Sequence, residues 1–162
     1  MAIAQDLHFV NAKAPVADAF AGTAESDIVN CEGHHTMLFL LVRGAAGGAG
    51  TTVPTIVPCS DAAGSATGTA IAYNYRLITM ASGTTGDVEG ALTAATNAGF
   101  TWGAGASQMC VIEVNTDDLA ASGYSWVKCV CTEGTDATYV GCMIAIMGEP
   151  RYTGNTQATV VS

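Results

Sequence analysis

Residues 124–147, with the sequence YSWVKCVCTEGTDATYVGCMIAIM, decide the fold class of this chain. Side chains in both halves of this stretch alternate between two faces, which is the period of a β-strand. In the first half Val127, Cys129 and Cys131 share one face, and in the second half residues 140, 142, 144 and 146 do the same. The intervening turn, residues 133–136, predicts that the two strands pair as an antiparallel hairpin. Because both faces carry apolar side chains, we expect the hairpin to be central in the fold.

The same alternation extends over most of the chain, and stretches with helical periodicity are scarce. The predicted strands span residues 6–10, 26–31, 36–43, 52–59, 70–80, 108–115, 124–133 and 137–147. Turn-rich segments separate them, so the pattern predicts one all-β domain over residues 1–162, an antiparallel sandwich or jelly roll. A short helix or a long loop is expected near residues 87–98, where acidic residues precede alanines. Residues 1–25 are expected to form an N-terminal arm, and residues 153–162 a polar tail.

The composition is that of a globular, acidic protein. Apolar residues make up 49% of the 162 positions, and 14 Asp and Glu outnumber 5 Lys and Arg. The basic residues are widely scattered, whereas a nucleic-acid binder needs a basic stripe to displace counterions from phosphates. The longest strongly apolar run, residues 37–42, is far too short to span a membrane. We therefore expect no nucleic acid and no membrane as partners, and a surface partly covered by other chains.

The six cysteines, at positions 31, 59, 110, 129, 131 and 142, come without a pattern typical of a secretion signal. In a reducing cytosol such residues are usually small buried hydrophobes, so we expect six free thiols.

Two groups of residues have the chemistry of metal ligands. Cys31, His34 and His35 form a C-x-x-H-H pattern of zinc-ligand types, but further ligands at zinc-site spacing do not accompany them. Glu113, Asn115 and residues 117–118 place oxygens at calcium-like spacing without the glycine and distal glutamate of an EF-hand. We expect the histidines to be solvated or at an interface, the acidic segment to be a polar turn, and the protein to bind no metal or other cofactor.

The sequence also lacks a recognisable catalytic motif. Ser60, Asp61 and His8 have the residue types of a triad, but nothing in the sequence brings them together. Paired carboxylates could still hydrolyse a glycan, with Glu113 and Asp118 as the residues to test. We expect a protein that is not an enzyme.

Two stretches carry a family resemblance. The first is residues 57–61, VPCSD, followed by a strand around residues 72–76. The second starts at residues 112–115, IEVN, and continues through residues 123–128, GYSWVK, and 140–147, VGCMIAIM, to Pro-Arg-Tyr at 150–152. This order of acidic turn, aromatic strand, hydrophobic strand and terminal Pro-Arg-Tyr resembles head proteins of tailed bacteriophages of the decoration or cement type. The resemblance covers about the second half of the chain.

This resemblance implies a protein made in the host bacterial cytoplasm and bound to the outside of the virion capsid. Its implied partners are the major capsid protein and further copies of itself, often as a homotrimer, and its role is to stabilise the head. Symmetric copies that engage several capsid subunits would be released only rarely. The expected partner-contact residues are Phe100, Trp102, Tyr124, Trp126, Arg151 and Tyr152. The alternative is a phage tail, baseplate or glycan-binding receptor module, in which Tyr124, Trp126 and Tyr152 would read the glycan.

Overall fold

The fold is an all-β sandwich, as the alternation predicts. The computed structural model describes residues 7–46, 48–80, 86–105 and 107–150, including all of their side chains except those of residues 45 and 46. In chain order the strands are β1 (His8–Val16), β2 (Thr23–Glu25), β3 (Val29–Asn30), β4 (His34–Ala46), β5 (Thr51–Cys59), β6 (Tyr73–Thr79), β7 (Val88–Glu89), β8 (Thr93–Ala95), β9 (Gln108–Asn115), β10 (Trp126–Thr135) and β11 (Tyr139–Pro150). One short helix, α1 (Thr116–Ala121), joins β9 to β10 in this part of the chain.

The strands form a large and a small antiparallel sheet. The large sheet has seven strands in the order β1-β11-β4-β9-β6-β7, and β8 pairs with β6 beside β7. In the small sheet β10 is central: β5 pairs along one of its edges, and β2 and β3 share the other. Consecutive strands therefore often change sheets, as from β4 to β5 and from β9 through α1 to β10.

The core lies between the two sheets and follows from the strand period. In β4, Met37, Phe39 and Leu41 are completely buried, whereas the intervening side chains are only half-buried. The inner face of the small sheet supplies Ile56 and the 127, 129 and 131 positions of β10 to the same cluster. Burial of such side chains is the main stabilising term for a fold of this kind. Each sheet thus has one inner and one outer face.

The predicted hairpin between the last two long strands is wrong. β10 pairs with β5, β2 and β3 in the small sheet, and β11 lies between β1 and β4 in the large sheet. The turn expected at residues 133–136 is largely strand, because Glu133 and Thr135 continue the pairing of β10 with β5. Alternation shows which side chains share a face but not which strand lies alongside, so two apolar strands close in sequence were wrongly paired.

The predicted helix near residues 87–98 is also wrong. Over this segment β7 and β8 both pair with β6, and the amide of Gly90 donates to the carbonyl of Leu77. Gly90 and β-branched Thr93 and Thr96 lower helix propensity, so strand pairing prevails. The helix lies instead at α1, where a polar turn was expected.

The segment expected to be an N-terminal arm is part of the sandwich from His8 onward. β1 pairs with β11 at an edge of the large sheet, and β2 pairs with β10 in the small sheet. Residues 1–6 and the predicted tail, residues 153–162, lie outside the described residues.

Candidate interaction face

The outer face of the large sheet is apolar over five adjacent strands. On these strands every second side chain points away from the core. We define the outer apolar face as Phe9, Leu38, Leu40, Val42, Ile78, Met109, Val111, Cys142, Ile144 and Ile146. Phe9 is 56% exposed and the other nine are half-buried. The run of apolar residues at 37–42 was the signal for this face, because it fills both faces of β4.

Strand register joins these side chains into continuous rows. Ile146 lies between Phe9 of β1 and Leu38 of β4. In the next row Leu40 lies between Ile144 and Val111. The third row runs from Cys142 through Val42 and Met109 to Ile78. Directly opposed side chains on one face contact one another, so the rows form a single apolar surface.

A groove crosses one side of this face. Leu92, in the connection from β7 to β8, is 55% exposed and forms one wall of a cavity of about 210 Å³. The other lining residues are Leu38, Arg76, Ile78, Val111 and Glu113. Most of the lining is aliphatic, with one cation and one carboxylate at its rim. The groove therefore suits a bulky apolar side chain.

The charges at this face are balanced, although the chain carries a net charge of −9. Arg76 and Glu113 lie at the groove, and the Arg76 guanidinium is 2.9 Å from the Glu89 carboxylate. Lys13 lies on the edge strand β1. The face thus combines apolar side chains with both signs of charge.

The outer face of the small sheet is more polar. Lys128 of β10 donates to the Glu25 carboxylate of β2 at 2.7 Å. The hydroxyl of Thr55 donates to the carbonyl of Val130, and Thr132 is exposed at the end of the same face. The same face also carries half-buried apolar side chains, namely Val53, Val57 and Trp126.

Two of the expected contact residues belong to the packed interior. Trp102 is completely buried, and its indole N–H donates to the side-chain oxygen of Gln108. The prediction that it contacts a partner is therefore wrong. Phe100 is half-buried and stacks on Tyr75 of β6, with ring centroids 3.6 Å apart. Both aromatics lie on the connection from β8 to β9, which folds over an end of the core.

The remaining expected contacts lie elsewhere. Tyr124 is half-buried against the core, and its ring lies close to Gly68. Trp126 is half-buried on the outer face of the small sheet, opposite Asn30 and Cys59. Arg151 and Tyr152 lie outside the described residues. Tyr124 and Trp126 remain partly accessible, so their role as partner contacts stays a prediction. Neither of them lies on the outer apolar face.

Sequence reasoning missed the role of Arg43, which it counted among the scattered surface charges. The side chain is completely buried, with its guanidinium carbon 3.6 Å from the Trp102 ring centroid and 4.5 Å from that of Tyr139. It donates to the carbonyl of Gly103 at 3.1 Å. Burial lowers its pKa, while the aromatic faces stabilise the cation. A lone charge at an inward position of an apolar strand was the available signal.

The zinc-type residues do not converge. Cys31 is buried, its thiol lies 2.9 Å from the sulfur of Met37, and burial raises its pKa to about 12. His34 is buried, whereas His35, the next residue of the same strand, is exposed. Burial lowers the pKa of His34, a hydrogen bond with the Gly148 backbone opposes that shift, and His8 adds to it. The expectation that both histidines are solvated or at an interface is therefore wrong for His34, which is buried within the chain itself.

The calcium-type residues cap a helix. The side chain of Asn115 accepts a hydrogen bond from the amide of Asp117 at 3.0 Å, which is the bond of a helix N-cap. Asp117 and Asp118 then lie in the first turn of α1, where the helix dipole favours negative charge. This cap and the acids after it were the missed signal for α1. Over the described ranges, no cluster of three or more His, Cys, Asp or Glu side chains has a metal-binding arrangement.

A second cavity, of about 420 Å³, lies beside α1. Tyr73 and small side chains form part of its wall, and its polar lining residues are His35, Asn74, Glu113, Asn115 and Asp118. Glu113 also lines the groove under Leu92. The cavity offers several hydrogen-bonding groups to a polar ligand.

The thiols and the triad-type residues show no reactive arrangement. All six cysteines are free, and the sulfurs of Cys129 and Cys131 lie 3.9 Å apart in the core. A hydrogen bond with Cys131 and burial raise the pKa of Cys129, whereas a reactive thiol needs a lowered pKa. The carboxylate of Asp61 accepts hydrogen bonds from the amides of Ala63 and Ser65, so it closes a turn after β5. His8 lies on β1 of the other sheet.

The chain matches no protein-family model, no curated protein sequence and no solved structure. Within the described residues, no helix has the length and apolar character needed to cross a membrane.

Proposed function

We propose that this chain is a non-enzymatic structural protein of a tailed-bacteriophage virion, a decoration or cement protein. It binds the outer surface of the major capsid protein lattice and stabilises the head. The observation that carries the proposal is the outer apolar face. Contiguous apolar faces of this kind usually mark protein–protein contact, because a partner that covers them removes the aliphatic side chains from water.

Further features support a role in assembly. Several side chains with catalytic potential serve turns, caps and the core, as Asp61, Asn115 and Cys129 illustrate. A small rigid sandwich also suits repetitive attachment, since many copies on a symmetric lattice multiply a modest contact.

The direct test uses purified heads of the phage that encodes the chain, stripped of auxiliary proteins. The chain should sediment with these heads, reach saturation and raise the temperature at which they release DNA. Leu40→Lys, in the outer apolar face, should weaken head binding by about tenfold or more, because it places a charge in a desolvated contact. Val57→Lys makes the same change at a half-buried position on the small sheet and should bind like wild type.

Two results would contradict the proposal. One is a chain that stays in the supernatant at every concentration, and the other is a Leu40→Lys variant that binds as well as wild type.

A tail or receptor-binding module remains the second candidate, and the cavity beside α1 favours it. Its amide, carboxylate and imidazole side chains are groups that hydrogen-bond sugar hydroxyls. Binding on a glycan array that is lost in Asn74→Ala would support this function. Retention of binding by Thr55→Ala, on the outer face of the small sheet, would be the matched control.

A further inference from the structure

The size of the outer face fits a stable protein contact. Strands lie about 4.8 Å apart and rise about 3.3 Å per residue, so five strands that lie side by side over about six residues present roughly 480 Å² in projection. Side-chain relief and the rim raise this toward the ~800 Å² per partner of a standard interface. A partner that covers the face must therefore present a surface of similar breadth.

The distribution of charge favours a second copy of the chain as that partner. Most surfaces of a molecule with net charge −9 repel their own copies. Of the chain's five basic residues, Arg43 is buried, Lys128 is paired with Glu25, and Arg151 lies outside the described residues. The other two, Lys13 and Arg76, lie on the large sheet, where Arg76 is paired with Glu89 and Glu113 lies nearby, so the charges at the outer face are close to neutral in sum. Two large sheets can therefore approach each other with less repulsion than other surfaces would give.

The shape of the face is complementary to itself. Phe9 projects from β1, two strands to one side of β4, and the groove under Leu92 lies at β9 and β6, on the other side of β4. Phe9 is also level with the groove, because its row continues through Ile146 and Leu38 to Glu113. Consider a twofold axis that lies in the contact plane and runs parallel to β4. Rotation about it places β1 of one copy over β6 of the other, and each residue keeps its position along the strand direction.

We propose that two copies of this chain pair through their outer apolar faces about a twofold axis along β4, with Phe9 of each copy seated in the groove under Leu92 of the other. The two Phe9 contacts are equivalent, as an isologous interface requires. Twisted sheets packed in this way are inclined by about 30°, which moves strands near the axis little. The contact closes at two copies, whereas the resemblance implied a trimer. This pairing covers the face that the proposed function assigns to the capsid, so the two contacts are alternatives: the free chain is a dimer, and head binding displaces the second copy.

The test measures the mass of the intact chain by analytical ultracentrifugation over a range of concentrations. Wild type should be a dimer. Phe9→Lys and Leu92→Lys should each weaken dimerisation by about a hundredfold or more, because each dimer carries the buried charge twice. The matched control is Val88→Lys. Val88 is 65% exposed, but it pairs with Thr79 and points to the opposite side of the sheet from Glu89, so it lies outside the proposed interface. This variant should dimerise like wild type.

A covalent test fixes the geometry. In a Cys142→Ser background, which removes the native thiol from this face, the double variant Phe9→Cys with Leu92→Cys should form a disulfide-linked dimer on mild oxidation, and neither single variant should do so. Within one copy the two positions lie on opposite sides of the five-strand face, well beyond the Cα separation of about 7 Å that a disulfide allows.

Two outcomes would overturn the proposal. One is a wild-type chain that is monomeric at all concentrations, including one that uses Phe9 only to bind heads, and the other is a trimer whose mass is insensitive to Phe9→Lys. A dimer that ignores heads would overturn the proposed function and leave the pairing intact. Head binding by a chain that remains monomeric would do the reverse.

Discussion

The outer faces of the two sheets differ although the inner faces share one core. On the large sheet the outward positions of β4 are Leu38, Leu40 and Val42, whereas on the small sheet Lys128 forms an ion pair with Glu25. Both sheets follow the same period of two. The difference shows that the outward half of the pattern is set separately for each sheet: it is mixed polar and apolar on the small sheet and aliphatic on the large sheet, which is why we propose a protein partner for the large sheet.

The largest loss of stability is expected at Trp102, which lies in the interior, and a smaller one at Trp126, which lies on the outer face of the small sheet. Trp102→Ala should lower the free energy of unfolding by about 3–5 kcal/mol, because it opens a cavity and removes the ring beside Arg43. Trp126→Ala, at a half-buried position, should cost clearly less. Urea unfolding of both variants measures the difference. Equal losses would show that the small sheet's outer face is as buried as the core.

Neighbouring leucines on β4 sharpen the comparison within one strand. Leu41→Ala should cost about 2–5 kcal/mol at any protein concentration, because the side chain is completely buried. Leu40→Ala should cost less in dilute protein and more as concentration rises, because the proposed pairing covers this half-buried residue. Denaturation at two concentrations a hundredfold apart distinguishes them. A cost for Leu40→Ala that is independent of concentration would argue against a covered face.

Much of this contrast could be predicted from sequence, but not all of it. The long strands and the inward cysteines of β10 follow from alternation alone. The neighbours of each strand do not, because β10 and β11 carry similar apolar patterns and only packing assigns them to different sheets. Sequence also suggested Trp102 as a contact, since a large aromatic in a polar loop looks the same whether it faces water or the core.

Acidification should act on the large sheet, where all three histidines lie. The lowered pKa of His34 means that the unfolded chain binds its proton at higher pH than the folded chain. Stability should therefore be constant above about pH 7, fall as the pH drops through 6.5, and stop falling below the folded pKa. Thermal unfolding of His34→Gln should show a weaker decline, and His35→Gln, at the exposed neighbour, should retain it. An unchanged decline in His34→Gln would contradict this assignment.

The smallest effect is expected at the small sheet's ion pair. Lys128→Met should change the free energy of unfolding by at most about 1 kcal/mol, because the side chain of its partner Glu25 is 48% exposed and water screens the pair. The wild-type advantage should disappear in 1 M salt, which screens such pairs. A larger loss that persists in salt would mean that this face is also covered.

The cation among the aromatics has a consequence for how the sandwich opens. Arg43 belongs to the large sheet, while the backbone of Trp102 exchanges two hydrogen bonds with Thr52 of the small sheet. Separating the sheets at this end would take the Trp102 ring away from the Arg43 guanidinium, which is buried and has little water to replace that contact. Partial opening of this end is therefore unfavourable. The amides of Thr52 and Trp102 should then exchange with solvent only through global unfolding, at the same free energy as the centre of β4.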